Sequence, residues 1–299
     1  MLPRCWNPSV QRLYFVSRYS TVSPWHRVGT LHDGSIEAFR REAFIPSLPI
    51  ILPRGHFSEI PALRKWFRRS DIQPNTYTLA QDYLSQFRDS VVPLELTRLP
   101  DNSPVSGSDN TFHRAEAPLA LFLEWTKYAN AQTADRLYLA QASFSILPKG
   151  LRDDLRTPDI VTKAGKGDIY DTNLWIGVPP TYTSLHRDPN PNLFVQLTGK
   201  KIVRLLKPEA GHEIFASVQT ALGQTGSSAL RGEEMMKGEE KRLLEAHIWG
   251  IASSHKVAVS SGYEACLERG DGLFIPQGWW HSIRGVGEGI TGSVNWWFR

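Results

Sequence analysis

Apolar and polar residues follow two spacings along this chain, mixed in the first half and dominated by short strands in the second. Leu48 to Leu52 is a brief apolar run bounded by prolines, which predicts a strand. Glu59 to Arg69 has helical spacing, with Pro61 tolerated in the first turn. Val92 to Leu99 alternates as a strand does. Pro118 to Asn130 sets Leu119, Phe122, Leu123 and Trp125 along one helix face. Pro100 to His113, rich in Asn, Ser, Pro and Gly, predicts an exposed loop.

Beyond Arg136 the period is that of strands. Leu137 to Gln141, Asn173 to Val178, Asn192 to Leu197, Lys201 to Leu206, Gly272 to Ile275 and Ser293 to Phe298 are separated by Gly or Pro turns. Many short strands with such punctuation predict a sandwich or barrel. An insertion at about 209–262 interrupts them. Its Gly223 to Gly232 stretch is small and polar, and Glu233 to Trp249 is a charged helical stretch suited to a solvated face or to a lid. The expected organisation is a leader over 1–30, an N-terminal α/β segment over 31–135 packed on the barrel, and a β core over 136–299.

Composition narrows the class. With 299 residues, 41% hydrophobic and 21% charged, the chain can bury a substantial globular core. No apolar run approaches the roughly 18 residues of a membrane span, so no membrane partner is expected. The two cysteines, Cys5 and Cys266, suit a reducing compartment and exclude a cysteine-based zinc site. The net charge of +4 is concentrated at the start, where Arg4, Arg12, Arg18 and Arg27 precede the first acid, Asp33. Arg-rich, Ser-containing and acid-free is the composition of a mitochondrial transit peptide, and cleavage after Tyr19 would leave about +1. The expected location is therefore the mitochondrial matrix, with a disordered basic tail on a cytoplasmic protein as the alternative. Little of the charge speaks for DNA.

The chemistry gathers around Thr183-Ser184-Leu185-His186-Arg187-Asp188. On an extended chain, residues two apart share a face, so His186 and Asp188 can reach one metal ion. His281, in Pro276-Gln277-Gly278-Trp279-Trp280-His281, is a candidate third ligand. Two histidines and one carboxylate on one face of an octahedron leave positions open, as in non-haem Fe(II) oxygenases. His-x-Asp alone is weak, because the tripeptide often arises by chance.

The flanking residues are more specific. His186 to Lys201 reads His-Arg-Asp-Pro-Asn-Pro-Asn-Leu-Phe-Val-Gln-Leu-Thr-Gly-Lys-Lys, and Gly270 to His281 carries the distal histidine. With Arg136-Leu137-Tyr138-Leu139 and Val294-Asn295-Trp296-Trp297, these segments resemble the JmjC/cupin-type Fe(II)- and 2-oxoglutarate-dependent hydroxylases, notably the asparaginyl hydroxylase of hypoxia-inducible factor and the wybutosine tRNA hydroxylase. The resemblance runs from about Leu48 to Arg299. It implies a mainly β fold with flanking helices, a double-stranded β-helix (jelly roll). It implies iron held by His186, Asp188 and His281. Lys201 would pair with the distal carboxylate of the cosubstrate 2-oxoglutarate, assisted by Thr183 and Tyr138. Asn192 and Asn295 would bond near the cosubstrate or iron. O2 completes the reactants, and 2-oxoglutarate leaves as succinate. Read without that resemblance, Lys201 is a surface lysine beside Lys200, Tyr138 is as readily core, and Asn295 a strand-end polar group. Trp279, Trp280, Trp296 and Trp297 read as core packing.

The leading expectation is hydroxylation of a protein side chain. The alternatives are a tRNA-base hydroxylase, disfavoured by the modest mature charge, and an inactive scaffold that keeps the fold. A lysine demethylase ranks lower, because the motifs are those of the shorter hydroxylases. The oligomeric state is not carried over. Gly285 to Gly289 reads as a hairpin turn, and His212, His247 and His255 as ordinary.

Overall fold

The computed structural model describes residues 25–98, 111–223, 238–250 and 262–299. The strands are β1 (Trp25–Arg27), β2 (Ile50–Ile51), β3 (Phe67–Arg69), β4 (Tyr77–Leu79), β5 (Val91–Arg98), β6 (Thr111–Pro118), β7 (Asp135–Ser143) and β8 (Ile169–Gly177). They continue with β9 (Thr181–Arg187), β10 (Asn192–Thr198), β11 (Lys200–Leu206), β12 (Gly262–Leu267), β13 (Gly272–Ile275), β14 (Trp280–Val286) and β15 (Thr291–Phe298). Two large sheets result. One runs β1-β12-β11-β14-β9, and the other β2-β13-β10-β15-β8-β7-β5-β6. Apart from β1, which lies parallel to β12, their pairings are antiparallel.

This is a double-stranded β-helix, as expected, and alternation explains how it closes. Along β10, Leu193, Val195 and Leu197 enter the core outside the larger sheet, while Phe194 enters the cluster between the sheets. That inner cluster joins Phe194, Leu273 and Ile275 of the larger sheet to Val203, Leu205, Ala265 and Ile283 of the smaller one. β10 is buried at every position because both of its faces are covered.

Helices cover the outer faces. In chain order they are α1 (Ile36–Phe39), α2 (Pro61–Lys65), α3 (Gln81–Leu84), α4 (Leu119–Thr126), α5 (Lys149–Asp153), α6 (Asp159–Lys163), α7 (Pro208–Ala221) and α8 (Gly238–Trp249). α7 and α8 belong to the insertion and pack behind the smaller sheet, where Ile214, Phe215, Leu244 and Ile248 meet Leu185 and Trp280. Gly211 permits that approach, since a Cβ there would strike the Trp280 ring.

Several expectations shift. The helix expected over 59–69 shrinks to α2 because the chain leaves helical pairing at Trp66. Phe67–Arg69 then pairs with Tyr77–Leu79 as a hairpin, burying Phe67. The helix over 118–130 ends at Thr126, where the Thr126 hydroxyl donates back to the Leu123 carbonyl. Helix α7, at a position with no sequence expectation, starts on Pro208. Gly285 to Gly289 does turn between β14 and β15. β5 and β6, from the segment expected at 31–135, extend the barrel's own sheet. β1 lies inside the expected 1–30 leader, and the rest of that segment up to residue 24 lies outside the described residues, as do most of the 100–113 loop and His255. Among the described residues, no helix is long and apolar enough to cross a membrane.

Candidate active site

His186 ends the inward face of β9, His281 stands near the start of β14, and the two are directly paired across the sheet. Asp188 follows β9. One ligand atom from each of the three lies within 4.8 Å of the others. Asp188 Oδ1 is 3.9 Å from His186 Nε2, and its Oδ2 is 3.5 Å from His281 Nε2. Each histidine donates its Nδ1–H to a backbone carbonyl two residues earlier, Ser184 at 2.8 Å and Trp279 at 3.1 Å. Those bonds leave both Nε2 lone pairs facing the carboxylate, the tautomer a metal ion requires.

The electrostatics agree. Burial holds the His281 imidazole far below its ordinary pKa, reinforced by His186, so the ring is neutral and its lone pair free. Burial works against ionisation of Asp188. His281 and His186, with N–H donors from Trp297 and Asn192, outweigh it and lower the carboxyl's pKa. Asn192 Nδ2 reaches Asp188 Oδ2 at 2.9 Å, and Asn295 Nδ2 reaches Asn192 Oδ1 at 2.9 Å. Both asparagines therefore sit on the metal side, forming a relay that orients the carboxylate.

The same cavity holds the other predicted residues. Lys201 points inward from β11 and is 2% exposed, although its neighbour Lys200 is a surface residue paired with Glu268. Its amine donates to Ser293 Oγ at 2.7 Å and to Tyr138 OH at 3.3 Å. Burial pulls the Lys201 pKa down to about 7, and no carboxylate pairs with it among the described residues. Thr183 lines the same space. A buried amine surrounded by neutral hydroxyls suits one end of a dicarboxylate, so these residues fit 2-oxoglutarate as well as a divalent metal. The free space is about 30 Å³, room for a water or two.

Three contributors escaped the sequence reading. Ser293 holds Lys201, Trp175 forms a wall, and Trp297 leaves the core to bond Asp188. Alternation along β15 would have found two of them, because Ser293 and Trp297 lie two residues either side of Asn295. Trp279, Trp280 and Trp296 do pack in the core.

Fold and site together define a jelly-roll protein with a two-histidine, one-carboxylate centre. The chain belongs to the cupin-like domain family, matched over residues 36–299, of which the JmjC-type Fe(II)- and 2-oxoglutarate-dependent oxygenases are part. It is 26% identical over 264 residues to lysine-specific demethylase JMJ30 of Arabidopsis thaliana, covering 88% of this chain and 53% of that protein. Lysine-specific demethylase 8 of Xenopus tropicalis is 26% identical over 273 residues, 90% of this chain and 52% of that one. Human tRNA wybutosine-synthesizing protein 5 is 24% identical over 146 residues, 49% and 39% of the two chains. The chain thus spans about half the length of the demethylases it matches.

Proposed function

We propose that this chain is an Fe(II)- and 2-oxoglutarate-dependent oxygenase that hydroxylates a protein side chain. The observation that carries the proposal is the pairing of two sites in one cavity. Two imidazoles and a carboxylate converge within 4.8 Å, and a buried amine with no carboxylate partner among the described residues faces the same space. His186, Asp188 and His281 hold the iron. Lys201 takes the distal carboxylate of 2-oxoglutarate, with Tyr138, Thr183 and Ser293 beside it. When bound, iron and 2-oxoglutarate would supply the oxidising power from O2, with 2-oxoglutarate leaving as succinate and CO2, one oxygen atom entering succinate and the other turning a C–H bond into C–OH.

The chain's own part is geometric. The carbonyls of Ser184 and Trp279 fix the imidazoles, and the Asn295–Asn192 relay fixes Asp188. Lys201 sets the orientation of the cosubstrate by charge. Trp175, Phe194, Ile283 and Trp297 wall the space with apolar surface and exclude water.

A second reading, removal of an N-methyl group from lysine, is favoured by the names of the relatives. It uses the same C–H hydroxylation and releases formaldehyde. A tRNA base is a third substrate class, supported by the likeness to the wybutosine protein. The leader's composition supports the mitochondrial matrix as the place of action.

Purified protein given Fe(II), 2-oxoglutarate and O2 is expected to form succinate, and Asp188→Ala to form none. Comparing proteins and tRNAs from cells with and without the gene should then show one oxygen atom lost from a protein. A change confined to RNA sinks the protein-hydroxylase reading. Formaldehyde released in step with succinate replaces it with demethylation. Recovery of the full-length chain from the cytosol alone overturns the compartment.

A further inference from the structure

The strands that carry the two histidines are also gripped from behind. His281 pairs with His186 and Ile283 with Thr183, so Ser184 and Leu185 together oppose Ser282 alone. A bulge of this kind interrupts the ladder and leaves backbone groups to other partners. Two carbonyls of the bulged stretch take side-chain donors. Ser184 accepts from His186, and Thr183 accepts from the Ser282 hydroxyl at 2.8 Å.

Ser282 is fully buried, and its oxygen accepts the indole N–H of Trp249 at 2.9 Å. Trp249 is the last residue of α8. Its ring lies between two guanidinium groups, Arg204 at 4.4 Å and Arg284 at 4.5 Å from its centre. Both arginines are tied down. Arg204 bonds Glu264 and the Ile248 carbonyl, and Arg284 bonds Glu245 of α8. The indole is thus held in place before it reaches the bulge.

We propose that Ser282 and Trp249 are positioning residues for the metal centre. Trp249 Nε1–H donates to Ser282 Oγ, whose own hydroxyl proton goes to the Thr183 carbonyl. That chain fixes how β9 and β14 lie against each other where both histidines leave the sheet. The inference rests on the reading of His186, Asp188 and His281 as an iron site. Apolar contacts of Leu185 and Trp280 with the helix layer set its distance from the sheet, but such contacts are non-directional. Hydrogen bonds are directional, and this pair spans the junction of the two ligand strands. Ser282 directly follows His281, and Thr183 belongs to the cosubstrate wall, so one link serves both ends of the site. The role gives the insertion helix α8 a place in the chemistry from behind the strands.

The test is titration of the full chain with Co(II), whose visible absorption reports ligand geometry, and measurement of the KM for 2-oxoglutarate. Wild type is expected to bind, and Asp188→Ala to bind none. Trp249→Phe keeps an aromatic ring between the arginines and drops the donor. Ser282→Ala drops both bonds. Each should weaken Co(II) binding by roughly 10–100-fold with an altered absorption envelope, and each should raise the KM for 2-oxoglutarate. Ser282→Thr, which keeps the hydroxyl, should restore both. If Ser282→Ala fails to fold, Trp249→Phe decides alone. Wild-type affinity and spectrum in Trp249→Phe overturn the positioning role and leave the metal reading standing. Absence of Co(II) and Fe(II) binding by the wild-type chain sinks both.

Discussion

Lys200 and Lys201 are adjacent in sequence and opposite in environment. Lys200 lies in solvent against Glu268, and its proton is held more firmly, chiefly by that hydrogen bond. Lys201 is enclosed, and burial lowers its pKa to about 7. The sign of the consequence is definite. An anion binds best to the protonated amine, and that form is depleted as pH rises through the free protein's value. The affinity for 2-oxoglutarate is therefore expected to fall roughly tenfold between pH 6 and pH 8. Titration calorimetry should show proton uptake on binding in the upper half of that range. Lys201→Arg should flatten the slope, and Lys201→Met should abolish binding at every pH. A slope unchanged in Lys201→Arg would assign the effect to another group. For the unliganded fold the same depression has the opposite sense. Between about 7 and 10.5 the unfolded chain keeps the proton that the folded one has lost, so stability rises with pH in that window.

The N-terminal elements are pinned by one carboxylate. Asp154, at the C-terminal end of α5, is 1% exposed. It accepts from Lys65 at 2.6 Å, from Trp66 Nε1 at 2.9 Å and from the Tyr83 hydroxyl at 2.6 Å. These donors come from α2, the turn after it, and α3. Burial and then Asp154 push the Tyr83 phenol up to about 12, so it remains a donor throughout the physiological range. Asp154→Ala strands a buried indole N–H and a phenol together, at a cost of about 2–4 kcal/mol. Denaturant unfolding should register that loss with an unchanged m value. Co(II) affinity should be unaffected, because the three elements do not touch the metal ligands. A coupled loss of metal binding would show that α2 and α3 support the site after all.

At the scale of the molecule, three apolar clusters among the described residues hold the sheets and the helices around them, without calling on His186, Asp188 or His281. The fold is therefore expected to stand without metal. Chelator-treated protein should keep a cooperative thermal transition, unlike small domains that need the ion to fold. Fe(II), added anaerobically at about a hundredfold excess over its dissociation constant, should stabilise by about 2.7 kcal/mol. For a domain of this size that raises the midpoint by several degrees. Asp188→Ala should melt at the same temperature with and without Fe(II). Unfolding on chelation would place the centre among the structural supports.

β7, β8, β10, β11, β13 and β15 were legible because apolar residues and turn-forming Gly and Pro recur at short, regular intervals, whereas β12, at the edge of the insertion, was not. The three candidate ligands were legible as a local spacing joined to a distal Trp-Trp-His. α7 was missed because its Ile214, Phe215 and Val218 face is short and sits among polar residues, and the Trp280, Leu244 and Ile248 side chains that cover it come from distant segments. The stretch over 59–69 looked helical because local spacing carries no record of β4, the strand with which Phe67–Arg69 pairs. Local order thus pointed to the residues that the fold gathers in one cavity and to the type of most elements. Tertiary structure decided the rest. It buried Lys201 and exposed Lys200, turned Trp297 from core to ligand support, and brought Trp249 to the back of the histidine strands. Those outcomes depend on which face of a strand meets another layer, and that is set by pairing between segments far apart in the chain.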